Sequence, residues 1–155
     1  MGLDGLWILI DMAKAKNVNN LSVSDIIKLY NYLCDFELNH KGSSGHFNFN
    51  DSPFQNFCKT NNIIPKGKNY KKERQNKSNG YLWFQSKQDE NKINDVGYNL
   101  LKHIRNSIAH GLIKKKGQFY YLEDYNPKAA SQTMGGRMRC DLFWPFLEKL
   151  ISTKK

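Results

Sequence analysis

Acidic residues are few in this chain. Asp and Glu number 14 against 24 Lys and Arg, a formal net charge of +10. A balance this basic favours polyanionic partners, nucleic acid first among them. Cysteine is scarce as well. Cys34, Cys58 and Cys140 are odd in number and widely spaced, and no Cys-x-x-Cys pair exists. This excludes a zinc ribbon and a dithiol redox motif, and the three read as reduced, buried thiols. Long hydrophobic runs are missing. The run Leu6-Trp7-Ile8-Leu9-Ile10 is too short to cross a membrane. No basic stretch precedes it and Asp4 sits just before it, so it is not a signal peptide. Leu6 stands where a myristoylation signal needs Ser or Thr. The expectation is a cytoplasmic protein with no membrane partner.

What is present suits one folded domain over residues 1–155. Hydrophobic residues make up 39% and aromatics 13%, enough for a packed core and too many for a disordered chain. Residues 4–16 read as a short helix with Asp4 as N-cap. Residues 22–38 follow, with Ser22 and Asp25 spaced as a capping box and Ile26, Tyr30 and Leu33 on one face. A third helix begins at Ser52-Pro53, with Ser52 as N-cap, Pro53 at the first helical position and Phe54 and Phe57 facing inward. Ile63-Ile64-Pro65 then leaves in extended form.

The segment from 66 to 79 holds Lys68, Lys71, Lys72 and Arg74 and has no clear period, which predicts a basic loop. The longest helix is expected over 87–110. Ser86 and Asp89 form a capping box, and Ile93, Val96, Leu100, Leu101, Ile104 and Ile108 give the apolar face. Gly111 reads as its C-terminal cap. Leu112-Ile113 and Phe119–Leu122 suggest a β-hairpin, and 126–139 a loop. The last helix starts at Asp141, with Pro145 in its first turn. The expected fold is therefore mainly all-α: a bundle of four to five helices with a β-hairpin after the longest.

The informative stretch is Leu101-Lys102-His103-Ile104-Arg105-Asn106-Ser107-Ile108-Ala109-His110-Gly111. It puts an Arg, an adjacent amide and a His at the end of an amphipathic helix. Asn106 and His110 are four apart and share a face. Histidine exchanges protons near neutral pH, and arginine grips a phosphate through two hydrogen bonds. In RNA the neighbouring 2′-OH is a built-in nucleophile, so no metal or cofactor is needed. His110 would move the proton, Arg105 would hold the phosphate and offset its growing charge, and Asn106 would orient His110 or bind a phosphate oxygen.

This stretch closely resembles the signature of the HEPN superfamily: Arg, a polar residue that is often Asn, further residues, then His. The resemblance implies a helical bundle, a homodimer with the motif at the interface, and metal-independent endoribonuclease activity. It also implies a place in toxin–antitoxin or anti-phage defence systems, with an antitoxin or another defence protein as partner. The alternative within the same resemblance is a catalytically inactive module that partners a nucleotidyltransferase or binds RNA or a nucleotide.

Lys114, Lys115 and Lys116 follow His110 and are placed to steer RNA toward it, and Arg137 and Arg139 flank Gly135-Gly136 within reach of a phosphate. Lys68, Lys71, Lys72 and Arg74 precede Tyr81, Trp83 and Phe84, a mix of cations and rings used on single-stranded RNA. His103 lies seven residues before His110 and reads as a surface or core histidine. His40 and His46 flank a Gly-Ser loop without metal-ligand spacing. Glu37 sits late in its helix with no assigned role.

Overall fold

The computed structural model describes residues 19–43, 45–67, 77–86 and 96–155. Helix α1 (Val23–Asp35) begins with the expected capping box: Ser22 Oγ accepts the Asp25 N–H at 3.0 Å, and Asp25 Oδ2 accepts the Ser22 N–H at 2.8 Å. The helix runs on into a single π-helical segment, Phe36–His40, closed by Lys41 N–H donating to Phe36 O at 2.8 Å. Helix α2 (Ser52–Thr60) is capped one residue earlier than expected. Asp51, not Ser52, accepts the Phe54 N–H, at 3.1 Å. The helix expected over 4–16, the Asp89 half of the second capping box, and Lys68, Lys71, Lys72 and Arg74 lie outside the described residues.

The expectation of a mainly all-α bundle is wrong. A five-stranded mixed sheet accompanies the helices, in the order β1 (Ile63–Ile64), β2 (Gly80–Phe84), β5 (Ser131–Arg139), β4 (Phe119–Asn126) and β3 (Ile113–Lys116). Only β1 and β2 run parallel; the other neighbours are antiparallel. The hairpin foreseen after the longest helix is β3–β4. The supposed loop at 126–139 is instead mostly β5, a central strand. Its sequence, Ser-Gln-Thr-Met-Gly-Gly-Arg-Met-Arg, has almost none of the branched and aromatic residues that mark strands. Pairing on both sides overrides that propensity. Met134 and Met138 enter the core, and Gly136 sits at φ +142°, where a Cβ would lie 1.9 Å from Tyr81 O. No side chain fits between β5 and β2 at that point.

The core lies between the sheet and the helices. Helix α3 (Val96–Ala109) buries Leu100, Leu101, Ile104 and Ile108, and helix α4 (Cys140–Ile151) buries Phe143, Phe146, Leu147 and Leu150. Each such side chain contributes about 1.5–3 kcal/mol. Pro145 is the sixth residue of α4, beyond the first turn expected for it, so the helix gives up a backbone bond there. Cys34, Cys58 and Cys140 are free thiols, and burial pushes Cys58 up to about 12.

A buried polar contact joins α1 to the sheet: Tyr120, on β4, donates its hydroxyl to Asp25 Oδ1 at the start of α1. Burial alone would raise the Asp25 carboxyl. The hydrogen bonds from Tyr120 and Ser22 and the charge of Lys115, 3.5 Å away, outweigh it and hold the group below its ordinary value. A carboxyl lowered by folding stabilises the protein above the usual carboxylate range and loses that stabilisation as the pH falls through it. Asp25→Ala removes a cap and strands the Tyr120 hydroxyl, so it should cost about 2–3 kcal/mol in urea unfolding. Asp25→Asn should flatten the loss of stability below pH about 4.

Candidate active site

Helix α3 ends in two bonds that fix His110 in place. Leu112 N–H donates to Ser107 O at 2.8 Å and Gly111 N–H to Ile108 O at 3.1 Å, with Gly111 left-handed at φ +68°. This Schellman arrangement makes His110 the C-cap residue. Asn19 clamps the exit from outside, donating to Gly111 O and Ile113 O, both at 2.9 Å. His110 is exposed, and its ring makes no hydrogen bond among the described residues.

One turn back, Arg105 is held. Its Nε donates to Glu37 Oε1 at 2.7 Å and its Nη1 to Asn106 Oδ1 at 3.2 Å. The Nη2 edge has no protein acceptor among the described residues. Glu37 reaches Arg105 from the π-helical segment, whose extra residue per turn changes the direction of the side chains after Asp35. Tyr32 packs beneath, donating to Leu101 O at 2.7 Å. Burial and the nearby Asp35 push its phenol far up, against the opposing pull of Arg105.

Asn106 continues the chain of contacts. Its Nδ2 donates to Asp124 Oδ2 at 3.3 Å, so its carbonyl oxygen must be the atom facing Arg105. Asp124 is the third inward-facing residue of β4, after Tyr120 and Leu122, and is 3% exposed. The same Oδ2 meets His103 Nδ1 at 2.7 Å, and Oδ1 accepts the Tyr125 N–H at 2.9 Å. His103 Nε2 meets Gln85 O at 2.8 Å. Both ring nitrogens of His103 thus face acceptors, and neither is available to move a substrate proton. The surface or core histidine expected from sequence is a part-buried positioning residue.

Arg105, Asn106 and His110 therefore come together on one helix end. The other expected residues are more scattered. Lys114 and Lys116 are exposed on β3, whereas Lys115 turns toward Asp25. Arg139 spends two donors on Asp141, at 3.0 and 3.1 Å, and Arg137 lies over the Phe119 ring, 4.0 Å from its centre. Glu37 and Asp124 received no role in the sequence reading. They are 68 and 18 residues from their partners, and no local spacing announces either.

A protein-family model described as HEPN pEK499 p136 matches residues 11–154. The chain belongs to this HEPN family. No curated protein and no solved structure matches it. The HEPN motif read from Arg105 to His110 falls inside the matched span, on the helix end just described.

The two carboxylates of this candidate site should differ in weight. Arg105 and Glu37 are 25% and 29% exposed, so water competes for their bond; Glu37→Ala should cost about 1 kcal/mol or less. Asp124 and His103 are 5% and 15% exposed, and three donors depend on Asp124. Asp124→Ala should cost about 3 kcal/mol, read as a lower urea midpoint at unchanged slope.

Proposed function

We propose that this HEPN-family chain is a metal-independent endoribonuclease that acts as a homodimer. The observation that carries the reading is the contrast at one helix end. Arg105 is fixed from two sides yet keeps its Nη2 edge open, while His110, five residues on and roughly 7–8 Å along the axis, is exposed and uncommitted. Fixed charge at the phosphate and a free imidazole beside it are what cleavage by the 2′-OH requires.

In the proposed reaction one His110 takes the proton of the 2′-OH, whose oxygen attacks the adjacent phosphorus. The P–O5′ bond breaks, and the leaving oxygen takes a proton from a second imidazole. The products carry a 2′,3′-cyclic phosphate and a 5′-OH. Arg105 offsets the negative charge that builds on the phosphoryl oxygens. One chain supplies one free imidazole at this end, so the second comes from the His110 of another copy across a two-fold axis. The apolar residues Val23, Ile27 and Leu38 are 58%, 56% and 82% exposed and would serve that contact.

The setting we propose is the cytoplasm, in a toxin–antitoxin or anti-phage system with an antitoxin or another defence protein as partner. No described helix is long and apolar enough to cross a membrane. The closed Glu37–Arg105 pair favours one second reading, a silent HEPN module that binds RNA or a nucleotidyltransferase partner without cutting.

Purified protein incubated with RNA in EDTA separates the two. Cleavage is expected, with rates at least about 100-fold lower in Arg105→Ala and in His110→Ala at unchanged circular dichroism. RNA binding without cleavage by the wild type would support the silent module. A species that sediments as a monomer and still cleaves would refute the shared site.

A further inference from the structure

A cleft of about 380 Å³ opens beside Asn106, and the chemistry above does not use it. Its size lies within the range of small-ligand sites, about 300–1,000 Å³. Helix α3 forms one wall through Asn99, Lys102, His103 and Asn106, at positions i, i+3, i+4 and i+7. His110 continues the same stripe four residues beyond Asn106. The cleft therefore runs along the face of α3 that ends at the free imidazole, one to two turns away. The opposite wall is the end of β4, with Tyr125 and Asn126, and the turn that follows it, with Lys128. A register shift between Asp124 and Tyr125 breaks the alternation of β4, and both residues line the cleft.

The hydrogen-bonding character of the walls is one-sided. The main acceptors are already used: Asp124 by His103, Asn106 and Tyr125 N–H, the Gln85 carbonyl by His103, and Asn126 Oδ1 by Lys128 N–H at 3.0 Å. Lys102 and Lys128, one on each wall, are exposed and carry no ion pair among the described residues. The Tyr125 ring, 42% exposed, has its hydroxyl tethered to Glu123 Oε2 at 3.0 Å. The cleft thus offers two cations and an amide N–H₂ to acceptors, and an anchored aromatic face to a planar group. A nucleotide carries both: phosphate and carbonyl oxygens, and a base with a π-face.

We propose that this cleft is a nucleotide subsite, which holds the base and phosphate of a residue adjoining the scissile bond in single-stranded RNA. The proposal rests on the ribonuclease reading for its substrate, and it gives that reading a source of sequence preference. Tyr125 stacks on the base, and Lys102 and Lys128 take its phosphate from opposite sides. The His103–Asp124 pair forms the floor.

The test uses the full chain and short single-stranded RNA. The double variant Lys102→Ala/Lys128→Ala changes only exposed side chains. It should raise KM at least about ten-fold, leave kcat within about two-fold, and lower the slope of log affinity against log salt by about 0.7, the value for one phosphate contact on a single strand. Tyr125→Ala should raise KM several-fold and change which nucleotide is preferred beside the cut. If the wild type cleaves and both variants keep its KM, salt slope and preference, the subsite is refuted and the ribonuclease reading stands. If the wild type does not cleave, that reading falls, and fluorescence anisotropy with labelled RNA decides the cleft. Weaker binding by the double variant supports the subsite, and equal binding refutes it. Free nucleoside monophosphates should compete poorly with the RNA. Competition at equal concentration would mean a site for free nucleotides and overturn the RNA assignment.

Discussion

The arrangement of this protein turns on one buried carboxylate. Asp124 sits where β4 faces the helices, and its two oxygens take donors from His103, Asn106 and the following backbone N–H. A charge placed there without partners would be costly. With them it locks helix to sheet and sets the orientation of the Asn106 amide. That amide in turn positions Arg105, and Arg105 is held from its other side by Glu37. A continuous chain of polar contacts therefore runs from the π-helical segment through α3 to β4 and on to the Gln85 carbonyl after β2.

The consequence for chemistry is a division of labour along one helix. Side chains inside the chain of contacts have their geometry fixed and few free hydrogen-bonding atoms. His110 lies just past its end, anchored only through the backbone by the glycine turn. Preorganised charge next to a group that can still exchange protons is the usual condition for acid–base work. Within the network each carboxylate has a fixed partner, Glu37 on Arg105 and Asp124 on His103. Under the function proposed above, a phosphate would meet Arg105 at its Nη2 edge, with the Nε bond to Glu37 left in place.

What could be read from the sequence was what is local. The Ser22–Asp25 box, the glycine after His110 and the apolar spacing of Leu100, Leu101, Ile104 and Ile108 in α3 each lie within a few residues, and each has the form expected. Strand β5 escaped notice because its glycines serve its neighbours: Gly136 is needed only because Tyr81 passes so close, from far away in the chain. Strand β2 was missed for the same reason: its aromatics were read only as stacking residues after a basic loop, and its partner β5 lies far along the chain. At the site, Arg105, Asn106 and His110 were legible as a spacing. Glu37 and Asp124 were not, because only the fold brings them to their partners. His103 was legible as a residue but not as a role, since its second bond is to a backbone carbonyl.

Strand β3 has a further effect on how copies of this chain can meet. It is the outer strand of the sheet, and its sequence is Ile-Lys-Lys-Lys. Asn19 covers part of it by donating to Ile113 O, and the exposed ammonium groups of Lys114 and Lys116 make a second such strand repel it. Assembly by joining sheets into a continuous ribbon is thereby closed off on that side. The homodimer proposed above would then form through another surface, where the number of copies is limited by symmetry rather than by supply.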